Sequence, residues 1–134
     1  MPHIVMLYTA NLEADGHVAA LCRKLADTLL AQRDEVGDAV FPTGGTRVFA
    51  YPAAHHAVSD GNGDYGFVYI NLRMGTGRSD AVKHATGDAL LAVAKEHFEP
   101  AFATRHVGLT LQIDESPGQV YDGKAGNLRD LFRK

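Results

Sequence analysis

Two runs of apolar, β-prone residues divide the chain into halves that share one order of elements. The first run, residues 2–8, is almost wholly apolar and predicts a strand buried on both faces. Asp15 then stands where it can cap a helix of about 16–18 residues, whose apolar stripe repeats at three- and four-residue spacing: Val18, Leu21, Cys22, Leu25 and Leu29. Residues 46–51 alternate between polar and apolar, which predicts a short strand that Pro52 closes.

The second half repeats this order. Residues 65–74 predict a strand, and after a glycine-rich turn Ser79 can cap a second helix. Its stripe is Val82, Thr86, Ala89, Leu90, Val93 and His97. We expect Pro100 to end or kink this helix, because proline lacks the N–H that the helix needs. Residues 107–114 alternate like a half-buried strand.

Each half is therefore a βαβ unit, with a crossover expected to be right-handed. Two such units predict an α/β (α+β) fold with a four-stranded sheet and two helices on one face. We expect a single domain over residues 1–134, with halves at about 2–52 and 65–114 and a tail over 115–134. In that tail, Asn127 can cap a last turn through Phe132, and the basic end, residues 129–134, fits a capped helical tail. The second face of the sheet is left open, and another subunit is the simplest cover for it.

Composition limits the class of protein. Apolar residues make up 46% and charged residues 22%, as in soluble globular proteins, so disorder and a disulfide scaffold are excluded. The net charge of −3 provides no bulk positive field for nucleic acid. No apolar stretch approaches the length of about 20 residues that spans a membrane. Cys22 is the single cysteine, which fits a reducing cytoplasm.

Pro2 is the first candidate for chemistry. If Met1 is removed, Pro2 becomes an amino-terminal secondary amine, the one situation in which proline has a basic nitrogen. An α-amino group has a reference pKa of about 7.7–8.0, and burial or nearby cations lower it. Such an amine is a base that can work at neutral pH. The alternative is that Pro2 is simply a common second residue, and a retained Met1 would block the chemistry.

Arg47 and Arg78 are candidates for anion binding. Each follows a glycine-containing turn beside a predicted strand, and Arg78 also precedes a helix start, where free N–H groups favour anions. The planar guanidinium pairs with a carboxylate through two hydrogen bonds. The pair therefore suits a small molecule that carries carboxylates, although solvated surface arginines are the alternative. The turn before Arg78 lacks the lysine and spacing of a phosphate-binding loop, so no nucleotide site is expected.

The seven histidines and Cys22 do not form a metal signature. His55 and His56 are adjacent in a loop, and His84 and His97 lack zinc-site spacing. Cys22 falls on the apolar helix stripe and is expected in the core. We therefore predict no metal site.

The chain resembles the 5-carboxymethyl-2-hydroxymuconate isomerases, a branch of the tautomerase superfamily. The resemblance covers essentially the whole chain and rests on an ordered set of motifs: Pro2-His3-Ile4-Val5, Tyr8-Thr9-Ala10-Asn11-Leu12, Phe41-Pro42 followed by Arg47, Asp64-Tyr65, Gly75-Thr76-Gly77-Arg78-Ser79, and Asn127 near Leu131-Phe132. It implies a tautomerase-like βαβ repeat, a homotrimer, and a cofactor-free isomerase of homoprotocatechuate breakdown acting on a dienol with three carboxylates. By this resemblance Pro2 is the catalytic base, and Arg47 and Arg78 hold substrate carboxylates.

The chain departs from the family pattern at two positions. Leu7 stands where many members have glutamate, and Phe49 stands where some have a second arginine; tryptophans sometimes found near the second main strand are also absent. These departures leave open a changed substrate, a general keto–enol tautomerase acting on arylpyruvate-like enols, or a homologue that has lost the ancestral reaction. A non-catalytic trimeric binding protein is the alternative of a different kind.

Overall fold

A computed structural model describes residues 2–133 of the chain. Its strands are β1 (His3–Thr9), β2 (Arg47–Ala53), β3 (Gly66–Gly75) and β4 (Val107–Ser116), and its helices are α1 (Val18–Ala31) and α2 (Asp80–Thr104). Short 3₁₀ turns cover Ala10–Leu12, Thr43–Gly45 and Arg129–Phe132. The strands form one sheet in the order β2-β1-β3-β4. This confirms the predicted α+β fold with four strands and two helices.

Each half contributes one parallel pair of strands. β1 pairs with β2 and β3 pairs with β4 in parallel, while β1 and β3 meet antiparallel at the centre. Because side chains alternate along a strand, one face of the sheet carries the residues that pack under the helices. Those residues are fully buried: Ile4, Met6, Val68, Ile70 and Leu72. They share a core with Leu21, Leu25 and Leu29 of α1 and with Leu90, Ala94 and Phe98 of α2.

The opposite face of the sheet is open to solvent and largely apolar along β1 and β2. Its large side chains remain between 37% and 53% exposed: Leu7, Phe49, Tyr51 and Phe67. Leu7 lies across from Tyr51, and Val5 lies across from Phe49. We call this surface the open sheet face. Both departures from the family pattern, Leu7 and Phe49, fall on it.

α1 is shorter than predicted, and its expected cap is wrong. The helix has 14 residues, and its N-cap is His17, a residue in the left-handed region (φ 47°) without a side-chain cap. The chain first makes the Ala10–Leu12 turn, and the Gly16 N–H then donates to the Leu12 carbonyl at 2.8 Å, which delays the start of the helix. Asp15 instead accepts a hydrogen bond from Arg105 at 3.3 Å.

α2 begins as predicted but does not end at Pro100. The Ser79 hydroxyl accepts from the Val82 N–H at 3.2 Å, which confirms the N-terminal cap. The helix continues to Thr104, although Pro100 cannot donate its own helical hydrogen bond. Phe98 is buried and Ala101 packs on the core, so packing holds the last turn in place. The predicted apolar stripe includes Val93 and His97, but these two residues are only partly buried. Their neighbours Ala94 and Phe98 are the buried residues.

Smaller corrections concern strand ends and the tail. Pro52 lies inside β2 rather than closing it, which an edge strand tolerates. β4 extends to Ser116, beyond the predicted range 107–114. The turn Arg129–Phe132 exists, but Asn127 contributes its backbone carbonyl, which accepts from the Asp130 N–H at 3.3 Å, and no side chain caps the turn. Among the described residues, no helix has the length and apolar character needed to cross a membrane.

Candidate functional site

Pro2, Arg47 and Arg78 belong to the same end of the sheet. Pro2 is buried and immediately precedes β1. The next residue, His3, pairs with Arg47 at the start of β2 and with Arg73 near the end of β3. Because β3 runs antiparallel to β1, the turn from β3 to Arg78 leaves the sheet at this end. Two segments far apart in sequence therefore bring their arginines towards the beginning of β1.

Arg78 is held in place by three contacts. Its guanidinium donates to the Gly75 carbonyl at 3.2 Å and to the Val40 carbonyl at 3.3 Å. Its Cζ lies 4.8 Å from the centroid of the Phe41 ring, which is buried. Burial lowers the pKa of Arg78 from its usual value, and the nearby Glu115 carboxylate opposes that shift. Arginine keeps its proton in proteins, so Arg78 is a pre-oriented cation.

Arg47 is positioned by the loop that also supports Arg78. Residues 40–46, here called the arginine loop, turn tightly because the N–H groups of Gly45 and Thr46 both donate to the Pro42 carbonyl, at 3.2 and 3.1 Å. Arg47 follows this loop, is half-buried, and donates to the Gly45 carbonyl at 2.9 Å. One short segment thus carries Arg47 at its end and supplies Val40 and Phe41 to Arg78.

The C-terminal turn packs on the arginine loop, a contact that the sequence did not predict. A Cβ added to Gly44 would lie 3.2 Å from Arg129 Cα and 3.4 Å from Phe132 Cδ2, so the two segments approach closely. A groove of about 620 Å³ lies between Arg47 and residues 123–133. The sequence interpretation treated residues 129–134 as a capped tail. The concentration of basic residues there, and the motif of Asn127 near Leu131-Phe132, were the signals that pointed to a role.

The apolar surroundings of Pro2 agree with the prediction. Ile4 and Met6, which follow it on β1, are fully buried. Met1, whose expected removal would expose the Pro2 amine, lies outside the described residues.

Other motif residues gather at the opposite end of β1. The Asn11 side-chain amide donates to Asp64 at 3.0 Å and to the Tyr65 carbonyl at 2.8 Å. Arg105 donates to the Asn11 carbonyl at 2.8 Å and pairs with Asp15 and Asp64. This network joins three loops and lies far along the sheet from Pro2, so it stabilises the fold rather than the site.

His97 and Cys22 lie outside the candidate site. His97 contacts the Gly16 carbonyl at 2.7 Å and Lys24 Nζ at 3.1 Å. It therefore links α2 to α1 and to the turn before α1. Cys22 is half-buried against the core, as expected, and burial raises the pKa of its thiol. Within residues 2–133, no three His, Cys, Asp or Glu side chains are grouped so that they could hold a metal ion.

Comparison with known proteins identifies one family over almost the whole chain. The family model for 5-carboxymethyl-2-hydroxymuconate isomerase matches residues 2–132. A crystal structure of a 5-carboxymethyl-2-hydroxymuconate delta-isomerase is 51% identical, with a TM-score of 0.95, over 100% of this chain and 94% of that one. The corresponding isomerase from Deinococcus radiodurans R1 is 36% identical, with a TM-score of 0.87, over 99% and 95%.

More distant relatives share the same architecture. The 5-carboxymethyl-2-hydroxymuconate Delta-isomerase of Escherichia coli is 27% identical over 99% of this chain and 100% of its own length. A fused 4-OT described as a symmetric trimer is 14% identical, with a TM-score of 0.57, over 90% of this chain and 93% of that one. At that identity the likeness concerns the fold alone.

Proposed function

The chain belongs to the 5-carboxymethyl-2-hydroxymuconate isomerase family, and we propose that it catalyses the proton shift in 5-carboxymethyl-2-hydroxymuconate with the amine of Pro2 as base. The observation that carries this proposal is the register at the start of β1. Pro2 immediately precedes the paired His3 and Arg47, and the β3 turn leads to Arg78 at the same end of the sheet. A base beside two fixed cations suits a substrate with several carboxylates.

The proposed mechanism moves one proton and needs only positioned side chains. After Met1 is removed, the neutral Pro2 amine takes a proton from the enol system of the substrate. The prolinium returns the proton at a different carbon of the conjugated chain. If another group donates it instead, the prolinium releases its own proton to solvent and that donor regains one, so atoms and charge balance over the cycle in both cases. Arg47 and Arg78 pair with carboxylates and stabilise the negative charge that develops on oxygen. Proton transfer at carbon depends on close positioning, which the held guanidinium groups support.

Assembly as a homotrimer is part of the proposal. The open sheet face exposes Leu7, Phe49, Tyr51 and Phe67 side by side, and apolar surface of this kind is ordinarily covered. Further copies of this chain are the proposed cover, and the likeness of fold to a symmetric trimer is consistent with that state. Location in the cytoplasm is also proposed, from the single cysteine, which suits a reducing compartment.

The decisive experiment compares processed wild-type protein with the Pro2→Ala variant. Intact-mass analysis establishes that Met1 is absent from both, and the rate of isomerisation of the tricarboxylate dienol is followed by ultraviolet absorbance. We expect Pro2→Ala to lower kcat by about a hundredfold or more, the scale of a lost general base. Pro117→Ala, a change at an exposed proline after β4, is the matched control and should keep full activity.

Four results would count against the proposal. Full activity of Pro2→Ala would remove Pro2 as the base, and Met1 retained in cells would exclude the mechanism. An inactive wild type with processed Pro2 would favour the binding protein. Faster turnover of phenylenolpyruvate than of the dienol would favour the arylpyruvate tautomerase.

A further inference from the structure

The groove beside Arg47 carries a concentrated positive charge, and apart from Arg47 the proposed mechanism does not use it. Among its described lining residues, four are cationic, namely Arg47, Lys124, Arg129 and Arg133, and Asp130 is the one carboxylate. The chain as a whole has a net charge of −3. The groove is therefore a local exception to the charge of the protein, and it begins at a residue already assigned to carboxylate binding.

The groove is built from ordered packing between distant segments. The Arg129–Phe132 turn is seated on Gly44, where a Cβ would come within 3.3 Å of Arg129 Cγ. The turn is closed by its own backbone, since the Leu131 N–H donates to the Leu128 carbonyl at 3.2 Å. Arg129 is half-buried, whereas the residues around it are exposed. The wall that faces Arg47 is consequently fixed relative to the arginine loop.

Two cations of this wall, Lys124 and Arg133, keep exposed side chains despite their ion pairs. Lys124 pairs with Asp122, but its side chain remains 43% exposed. Arg133 approaches Asp130 only to 3.5 Å, and its side chain is 76% exposed. Exposed pairs of this kind contribute little to stability, so exchanging them for a ligand carboxylate costs little.

We propose that Lys124, Arg129 and Arg133 form a distal carboxylate site, continuous with Arg47, that selects the substrate for the proposed isomerase. This inference rests on the proposed function, whose substrate has three carboxylates. Arg47 and Arg78 account for the carboxylates nearest the reacting carbons. The groove, with a volume of about 620 Å³, receives the carboxylate that extends past Arg47. An enol with one carboxylate gains nothing from it, so the groove separates tricarboxylates from monocarboxylates.

The test compares two substrates in a double variant, Lys124→Gln with Arg129→Gln, on processed protein. We expect KM for the tricarboxylate dienol to rise about tenfold, as follows from losing about 1.4 kcal/mol of binding, while kcat stays within twofold. KM for phenylenolpyruvate should change by less than about twofold, since that substrate does not reach the groove. Lys95→Gln, at an exposed position on α2, is the matched control and should change neither value.

A second measurement separates this inference from the proposed function. Binding of tricarballylate, an unreactive tricarboxylate, is measured by calorimetry on wild type, on the double variant and on Arg133→Gln, with urea unfolding as a check on folding. Weaker binding in folded variants supports the distal site even if wild type fails to isomerise the dienol. An unchanged Kd for tricarballylate in the variants, or an equal rise in KM for both substrates, overturns the proposed distal carboxylate site.

Discussion

The guanidinium of Arg78 lies 4.8 Å from the centre of the Phe41 ring, which is 2% exposed. The ring gives the cation a flat apolar support, and the Val40 carbonyl beside it accepts one guanidinium N–H. Arg78 is therefore oriented by a residue from the loop that precedes the other candidate arginine.

The first prediction concerns this support. Phe41→Leu should raise KM for the dienol about three- to tenfold, because a cation–π contact contributes about 0.5–2 kcal/mol. Phe98→Leu is the control, since Phe98 is also fully buried but lies on α2 in the core. Both changes should lower the unfolding midpoint, whereas only Phe41→Leu should change KM. Equal KM values for the two variants would show that Phe41 serves packing alone.

The second prediction concerns the planar geometry of the two arginines. Arg47→Lys and Arg78→Lys keep the charge but lose the paired N–H groups, so kcat/KM for the tricarboxylate dienol should fall about ten- to hundredfold. Losses on phenylenolpyruvate should be smaller, because it offers one carboxylate. Arg23→Lys, in an exposed ion pair with Asp27 on α1, is the control. Equal losses on both substrates would contradict a role in binding several carboxylates.

The third prediction concerns the open sheet face. If the proposed trimer covers this face, Phe49→Lys places a charge in the middle of the interface and should convert the trimer to monomer, because burying an unpaired charge is costly. Light scattering coupled to size-exclusion chromatography measures the mass directly. Val36→Lys, at a loop position that is 80% exposed, should leave the trimer intact. A wild-type protein that is monomeric at micromolar concentration would contradict assembly through the open sheet face.

The fourth prediction concerns the network around Arg105. Arg105→Ala removes contacts to the Asn11 carbonyl, Asp15 and Asp64 and should lower the free energy of unfolding by about 1–3 kcal/mol. KM should not change, since the network lies at the end of the sheet away from Pro2. Arg23→Ala should cost less than about 0.5 kcal/mol by comparison. Urea unfolding measures both, and a similar small cost for the two variants would show that the network is not structural.

The fifth prediction concerns alkaline pH. Burial and the hydrogen bond to Glu13 raise the pKa of Tyr8 to about 12, from its usual value of 10.0. The neutral phenol is thus favoured in the folded protein, so its contribution to stability is complete below pH 10.0 and is lost as the pH rises towards about 12. Tyr8→Phe should flatten this part of the stability profile. A profile identical to that of wild type between these limits would contradict the assignment.

The periodicity of the chain predicts the elements better than their ends. The α1 stripe reports burial directly, because its three- and four-residue spacing follows the helix period. The apolar run over residues 2–8 predicts a strand buried on both faces, and this is wrong for the single chain: Ile4 and Met6 are buried, but Leu7 on the other face is 47% exposed. Asp15 and Pro100 were misleading for physical reasons: a loop closed by Gly16 delays α1, and the packing of Phe98 carries α2 past the proline. Local residue preferences do not contain these tertiary contacts.

The candidate site was predictable only in part. Pro2, Arg47 and Arg78 stand beside strand ends and glycine turns, which are visible in the sequence. Two contacts at the site join residues that are distant along the chain: Phe41 supports Arg78, and Arg129 packs on Gly44. Such contacts depend on how strands are ordered in the sheet, and hydrophobic spacing does not encode that order.

The seating of the Arg129–Phe132 turn on Gly44 also affects the order of events during synthesis. β1, α1 and β2 emerge early and can pair while translation continues, but the groove wall opposite Arg47 comes from residues 123–133, which are made after all four strands. A nascent chain can therefore form its sheet before it holds the wall of the proposed distal site. On that proposal, selectivity for the tricarboxylate is acquired later than the sheet itself.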